Sequence, residues 1–135
     1  MAKGDDIREN LVAFAVSVMD LCDTLPRTTA GIHIADQLLR SATSAAPNYA
    51  EARGAESGRD FIHKLGIVLK ELNESEVWID MLVRRKMAEG QSILHVQEEC
   101  KSLCRIIAAS VRTAKQNMGR TAAGSGQKAG DRTSD

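Results

Sequence analysis

Two groups of arginines and lysines in the second half of the sequence are the residues best suited to chemistry. They are Arg84, Arg85 and Lys86 in one run, and Arg105, Arg112, Lys115 and Arg120 spread along a later segment. Guanidinium and ammonium groups bind phosphate oxygens, and repeated positive charge on one surface binds a nucleic-acid backbone. We therefore predict that these seven residues form a nucleic-acid-binding surface. The alternative is a solvated charged face with no specific partner.

Acid–base catalysis would need a positioned pair of side chains, and the sequence offers only weak candidates. Arg59 and His63 distantly resemble the Arg-and-His pair of all-helical ribonucleases, but their spacing is one residue too short. A second pair, Arg27 and His33, begins in a predicted loop. We predict that the protein is not an enzyme and keep ribonuclease activity as an unfavoured alternative.

The three cysteines favour a structural role. Cys100 and Cys104 lie one helical turn apart and could offer two thiolates to zinc, but His95 falls on a different face and no further ligand pair completes a site. We predict neither a metal nor a cofactor. Because the cysteine count is odd and no leader sequence precedes Cys22, we expect a reducing, cytoplasmic location. No apolar run reaches the roughly 18 to 20 residues that cross a bilayer, so no membrane partner is expected.

Three polar residues on one predicted helix could interact. Asn48 and Glu51 share a helical face, and Arg40 lies about two turns earlier. Such a group could be a functional polar site. The preferred interpretation is a buried, satisfied network that fixes how this helix registers against its neighbours.

Composition limits the mode of any nucleic-acid contact. The 135 residues include 18 Lys and Arg against 18 Asp and Glu, so only the distribution of charge can favour such a partner. The aromatic residues are few and scattered, and they do not form a platform on which bases could stack. Any nucleic-acid contact would therefore be to backbone phosphates.

Apolar residues recur every three and four positions in four segments, which predicts four helices. We place them at about 5–24, 29–53, 58–88 and 93–116. Short connections favour antiparallel neighbours, so the fold class is all-α, an up-down-up-down four-helix bundle over residues 1–118. Residues 119–135 are rich in glycine, alanine and serine, and we predict a disordered tail there.

Local signals mark the helix ends and irregularities. Pro26 ends the first helix, and Thr28 or Thr29 can cap the second. Ser57 begins a predicted capping box before the third helix. Pro47 should kink the second helix at a cost of about 3 kcal/mol, and Ser75 alone interrupts the apolar pattern of the third.

The first and third helices carry more apolar surface than one core face can bury. The additional residues are Val12, Val16, Met19, Ile67, Val77, Trp78 and Met81. An apolar flank on a helix that already has a full core face suggests burial against another subunit. We therefore predict that these seven residues form an oligomer interface.

Three blocks of sequence, 37–44, 48–52 and 61–71, resemble the signature of a bacterial four-helix-bundle family. Its members include proteins encoded in intervening sequences of 23S ribosomal RNA genes and accessory proteins of diversity-generating retroelements. The resemblance runs from about Ile7 to Val111. It implies an antiparallel four-helix protomer that assembles as a pentamer. In the retroelement branch it also implies a basic surface that binds nucleic acid and a reverse transcriptase.

These patterns together predict a non-catalytic homo-oligomer, a pentamer by the resemblance, that acts as a nucleic-acid-associated adaptor. RNA or DNA, a reverse transcriptase and further copies of the chain are the expected partners. The alternative is a protein-binding scaffold without a nucleic-acid role.

Overall fold

Four α-helices joined by short turns make up the computed structural model. α1 spans Lys3–Thr24, α2 spans Thr29–Arg53, α3 spans Gly58–Arg84 and α4 spans Gln91–Thr133. The structure describes the backbone of residues 3–133 and the side chains of residues 4–120. Because the turns are short, each helix reverses the direction of the one before it.

The helices form a closed square. α2 packs between α1 and α3, and α4 packs between α3 and α1. Within the described residues, the diagonal pairs α1/α3 and α2/α4 make no close backbone contact. The fold is the predicted up-down-up-down four-helix bundle, which confirms that prediction. The contact between α1 and α4 is the smallest of the four.

The core follows the spacing of the apolar residues in the sequence. Each helix directs one stripe inward, and small residues such as Ala42 and Ala45 line α2 where α1 and α3 approach. The largest fully buried side chains are Phe14, Leu11, Leu38, Leu65, Leu72, Ile79, Leu82 and Ile107. The apolar residues that recur every three and four positions therefore mark the buried face of each helix.

The turn between α1 and α2 requires a glycine. Thr28 caps α2, and its Oγ1 accepts a hydrogen bond from the amide of Gly31 at 3.1 Å. A Cβ atom at Gly31 would lie 2.0 Å from the carbonyl oxygen of Pro26. Only glycine therefore allows the turn to fold back this closely onto α2.

Pro47 lies within α2, yet the helix continues from Thr29 to Arg53. The ring is on an exposed side of the helix. A proline removes one backbone donor and crowds the carbonyl one turn before it. Next to it, the side-chain amide of Asn48 donates to the carbonyl of Ser44 at 2.8 Å. Because α2 is continuous across residue 47, Pro47 does not divide the helix in two.

The prediction that α3 continues to about Ala88 is wrong, because the helix ends at Arg84. The amide of Met87 bonds to the carbonyl of Leu82 at 3.0 Å, and that of Lys86 bonds to Val83 at 3.1 Å. This pair of bonds is a Schellman motif. At the other end of α3, Ser57 Oγ accepts from the amide of Asp60 at 3.1 Å, as the predicted cap requires.

The predicted end of the fourth helix near residue 116 is too early, because the backbone of α4 continues to Thr133. The side chains beyond residue 120 lie outside the described ones, so the disorder expected for residues 119–135 stays a prediction. Among the described residues, no helix is both long enough and apolar enough to span a membrane.

Candidate nucleic-acid interface

A line of positive charge follows the outer side of α4. The core side of this helix is fixed by Cys100, Leu103 and Ile107, which are buried. Arg105 and Arg112 are seven residues apart, so they share the opposite side of the helix, and both are exposed. We call the residues on this side the α4 basic row: Lys101, Arg105, Arg112 and Lys115.

The opposing charge beside the α4 basic row lies at its start, where Glu98 and Glu99 line one groove with Arg105. The sequence has no Asp or Glu between Glu99 and Asp131. Within the described part of the chain, none of the four residues forms an ion pair, and neither does Arg120. Their fields therefore add along one side of the helix and are left for an anionic partner.

Arg59 joins this row from another helix, which the sequence analysis missed. The antiparallel packing places the first turn of α3 beside the later part of α4, and Arg59, Ile62, Lys115 and Met118 line one shallow groove there. Because the apolar stem of Met118 packs near Gly58, the two helices hold this groove in place. The available signal was the antiparallel order itself, since the start of α3 must meet the far end of α4.

The other predicted basic group lies elsewhere. Arg84, Arg85 and Lys86 surround the turn from α3 to α4, whereas Arg112 lies 21 residues into α4, about 30 Å along its axis. Arg84 pairs with Asp80 at 3.3 Å. The seven predicted residues therefore form two separate groups, and the row on α4 is the longer and less neutralised one.

Lys86 has an unusual backbone conformation. Its φ is 57°, the left-handed region, and it is the only non-glycine residue with positive φ in the described chain. Glycine is the usual residue at this position of a Schellman motif, because a side chain there costs about 1 kcal/mol. A lysine at this turn keeps a positive charge beside the carbonyl end of α3, which is favourable for the helix dipole.

The predicted network of Arg40, Asn48 and Glu51 does not form, because each residue contacts a different partner. Arg40 reaches across to α3, where Glu74 and, at 3.5 Å, Glu71 accept from its guanidinium. Glu51 pairs with Lys64 at 3.1 Å, and Asn48 bonds within its own helix. The side chains of Arg40 and Glu51 are 50% and 60% exposed, so neither is a buried charge.

The buried polar contact between α2 and α3 involves two serines. Ser41 and Ser75 are fully buried, and their Oγ atoms lie 2.8 Å apart. When the hydroxyl of Ser75 donates to the carbonyl of Glu71, 2.9 Å away, its Oγ accepts from Ser41. The break in the apolar pattern of α3 at Ser75 therefore marks the position where the two helices share a hydrogen bond.

The cysteines are unbridged and belong to the packing. The thiol of Cys100 donates to the carbonyl of Leu72 at 3.3 Å, and the adjacent Cys104, together with burial, raises the pKa of Cys100. Burial raises the pKa of Cys22 to about 11, with a smaller contribution from Asp23. Among the described side chains, no group of three or more His, Cys, Asp or Glu could hold a metal ion.

The predicted interface residues divide by exposure. Val16, Met19, Val77 and Met81 are exposed, whereas Val12 and Ile67 are half-buried. Trp78 is also half-buried, and its ring meets that of His33 edge-on at 5.9 Å. Trp78 therefore packs between α3 and α2 within one protomer, a role that the sequence analysis did not foresee.

A cavity of about 410 Å³ opens between α1 and the later part of α4. Ile7, Phe61 and Ile106 contribute apolar walls, and the buried Tyr49 also lines it. Burial raises the pKa of Tyr49. Beside it, Arg53 donates to Asp5 at 2.7 Å and ties the end of α2 to the start of α1. The small side chains of α4 leave this space unfilled.

The family model for the 23S rRNA-intervening sequence protein matches residues 6–109 of the chain. The chain belongs to this family. The match covers the whole of α2 and α3 and the greater part of α1, which includes the three blocks on which the resemblance rested.

A solved structure supports the same relationship. It is a protein of unknown function from the S23 ribosomal protein family of Bacteroides thetaiotaomicron, with 29% sequence identity and a TM-score of 0.75. The similarity covers 82% of this chain and 99% of the other. No curated protein matches the chain.

The family match ends inside the α4 basic row. Lys101 and Arg105 lie within the matched residues, whereas Arg112, Lys115 and Arg120 lie beyond residue 109. The positive charge on the later part of α4 therefore lies outside the matched residues.

Proposed function

We propose that this protein is a non-catalytic, self-associating adaptor that binds the phosphate backbone of RNA or DNA through the α4 basic row. The observation that carries the proposal is the row itself: Arg105, Arg112 and Lys115 are exposed and Lys101 is partly exposed on one side of α4, without an ion pair among the described residues. Lys101 and Lys115 are 14 residues apart, about 21 Å along the helix.

The dimensions of the row suit a nucleic-acid strand. One strand of a duplex carries a phosphate about every 3.4 Å of rise, so 21 Å of helix faces roughly six phosphates. Arg59 widens the same surface at one end. Because the scattered aromatic residues offer no stacking platform, the expected binding depends on charge and shows little sequence preference.

Self-association would repeat the row around a symmetry axis and strengthen the binding. The exposed apolar residues of α1 and α3 support this part of the proposal. A pentamer, which the family resemblance implies, would have about five times the 14.6 kDa mass of one chain. A reverse transcriptase is the protein partner that the same resemblance implies, and a reducing cytoplasm is the compartment that suits three free thiols.

A binding titration with short RNA and DNA duplexes at several salt concentrations tests the proposal. Changing Arg105 and Arg112 together to Glu should weaken binding at least tenfold at 0.1 M salt and lower the slope of log K against log salt by about 2. Arg8→Glu is a control for reversing one exposed charge away from the row, because Arg8 is exposed on α1 and already neighbours Glu9. Binding that is unaffected by salt or by the double change would refute the role of the row.

A second double variant, Arg85→Glu with Lys86→Glu, distinguishes the two basic groups. If the turn between α3 and α4 were the phosphate site, this variant would lose binding and the α4 variant would retain it. Our proposal expects the reverse order of effects.

A protein-binding scaffold remains the second candidate, because exposed apolar residues such as Val16 and Val77 favour a protein partner. Light scattering separates the two ideas. A protein that assembles but binds neither RNA nor DNA in the titration would favour the scaffold.

A further inference from the structure

α1 and α3 occupy diagonally opposite corners of the bundle. They make no close backbone contact with each other within the described residues, and each packs against both α2 and α4. The outer sides of α1 and α3 therefore point in opposite directions. One copy of the chain could be contacted on both sides at once, by two different neighbours.

The outer side of α1 combines apolar and acidic residues. Val16 and Met19 are about half exposed, and Asp20 and Asp23 continue the same side towards the end of the helix. Within the described residues, neither aspartate forms an ion pair. The last turn of α1 also contains no basic residue, so these carboxylates face the negative end of the helix dipole without compensation.

The outer side of α3 is complementary, because apolar residues there are followed by basic ones. Val77 and Met81 are exposed at 54% and 44%, and Arg84 follows on the same side. Val77 and Arg84 are seven residues apart, and so are Val16 and Asp23. Arg84 also contacts Asp80, but that pair is exposed, and Arg85 extends the positive charge without an ion pair within the described chain.

We infer that the outer side of α1 in one copy docks onto the outer side of α3 in the next copy. Val16 and Met19 would pack against Val77 and Met81, and Asp23 would meet Arg84. The inference rests on the self-association in the proposed function and names the surfaces that produce it. Two different surfaces form one contact, so the arrangement is head-to-tail and extends into a ring when the rotation closes.

This arrangement leaves the α4 basic row uncovered. The interface uses the acidic end of α1 and the basic end of α3, whereas the row lies on the outer side of a third helix. Assembly and phosphate binding would therefore use different charges. A variant that breaks the assembly should retain the weaker phosphate binding of a single copy.

A mixing experiment tests the head-to-tail geometry. One variant carries Val16→Asp with Met19→Asp, and the other carries Val77→Asp with Met81→Asp. Each variant has one intact surface, so each should be a monomer of about 14.6 kDa alone. An equimolar mixture should form a 1:1 dimer and nothing larger, by light scattering, because the intact α3 of the first variant meets the intact α1 of the second.

Ile32→Asp is the matched control. Ile32 is 58% exposed on α2, so it is a similarly exposed apolar residue outside the proposed contact, and this variant should keep the mass of the unchanged protein. Circular dichroism confirms that each variant is folded, which is expected because all five changed side chains are exposed.

A charge exchange tests the ionic part of the contact. Asp23→Arg is added to the variant whose α1 surface is intact, the one with Val77→Asp and Met81→Asp. It should weaken the mixed dimer about two- to fivefold, the range for exposed ion pairs. Arg84→Asp in the opposing surface should restore most of that affinity. A loss that the second change does not restore would overturn the pairing of Asp23 with Arg84.

The outcomes separate this inference from the proposed function. If the unchanged protein assembles and either apolar double variant keeps its full mass, or if the mixture stays monomeric, the docking inference is wrong and self-association stands. If the unchanged protein is itself a monomer at micromolar concentration, both are wrong.

Discussion

The two sides of the bundle are built differently. Between α2 and α3, small residues let the helices approach, two buried serines share a hydrogen bond, and Arg40 and Lys64 take part in ion pairs across the contact. Between α1 and α4, the contact is the smallest of the four, no ion pair joins the two helices in the described chain, and a cavity of about 410 Å³ remains.

The difference shows which polar and charged side chains have partners within the fold and which do not. Polar groups between α2 and α3 satisfy each other, so that side contributes mainly to stability. The cations of α4 and the acids at the end of α1 have no such partners among the described residues. The helices that contact each other least are therefore the ones whose charges are available for other molecules.

Core truncations should show the largest contrast between the two sides. Leu38→Ala removes a fully buried side chain of α2 and should lower the free energy of unfolding by about 3 kcal/mol, within the usual range of about 2 to 5 kcal/mol for such a change. Ile106→Ala enlarges a space that is already open beside α1 and should cost only about 1 kcal/mol. Urea denaturation of both variants measures the difference, and equal losses would contradict the contrast.

The free energy of unfolding should fall between pH 9 and pH 11 because of Cys22, which contacts α2 through the carbonyl of Ala35. Its pKa is about 11 in the folded protein and 9.0 without burial, so in this range the unfolded chain loses the thiol proton first. The fold binds more protons there, and stability decreases as pH rises.

Because the thiol of Cys22 is half-exposed, solvent screening reduces the effect of its pKa shift on stability. We expect the free energy of unfolding to fall by about 1 kcal/mol from this residue. Cys22→Ala removes this contribution, so the difference in unfolding free energy between the two proteins should shrink by that amount from pH 9 to pH 11. A difference that is independent of pH would show that the thiol titrates normally in the fold.

The serine pair predicts a coupling between α2 and α3. Ser75→Ala should cost about 1 kcal/mol, because Ser41 loses its partner on α3 and its single hydroxyl hydrogen is left with the carbonyl of Leu38, 3.2 Å away, as acceptor. Ser41→Ala should cost a similar amount, and the double variant should cost less than the sum. A double-mutant cycle by chemical denaturation measures this, and strictly additive losses would exclude the coupling.

The smallest expected difference in unfolding free energy is between two arginine substitutions. Arg40→Ala removes ion pairs to two glutamates of α3 and should cost about 0.5 kcal/mol, because the pairs are partly exposed. Arg105→Ala removes a cation of the α4 basic row and should leave the unfolding free energy within about 0.3 kcal/mol. Thermal unfolding at low and high salt compares them, and a salt-dependent loss for Arg105 would mean that it is engaged within the fold.

The fold was accessible from the sequence because its signals are local. Apolar spacing predicted the four helices and their inward faces, and Thr28 and Ser57 cap α2 and α3 as expected. The end of α3 was misplaced by about four residues. There the left-handed conformation of Lys86 ends the helix, and a lysine carries none of the signal that a glycine would give.

The candidate site was only partly accessible. The cations of α4 follow from helical spacing alone, since Arg105 and Arg112 must share a side. Arg59 was missed because it lies 56 residues before Lys115 in the chain, and the two residues come together only through the packing of α3 against α4. Conversely, Arg40, Asn48 and Glu51 share one helix but have different neighbours, which pattern within a single helix could not show.

The sequence by itself determined the helices, the bundle and the side of α4 that carries positive charge, because each of these depends on spacing within one segment. Only the tertiary structure decided which charges meet. The rotation and register of one helix against another place Arg40 beside the glutamates of α3 and separate the turn of Arg84 from the basic end of α4. These relations between elements depend on packing, and no single segment of the sequence contains them.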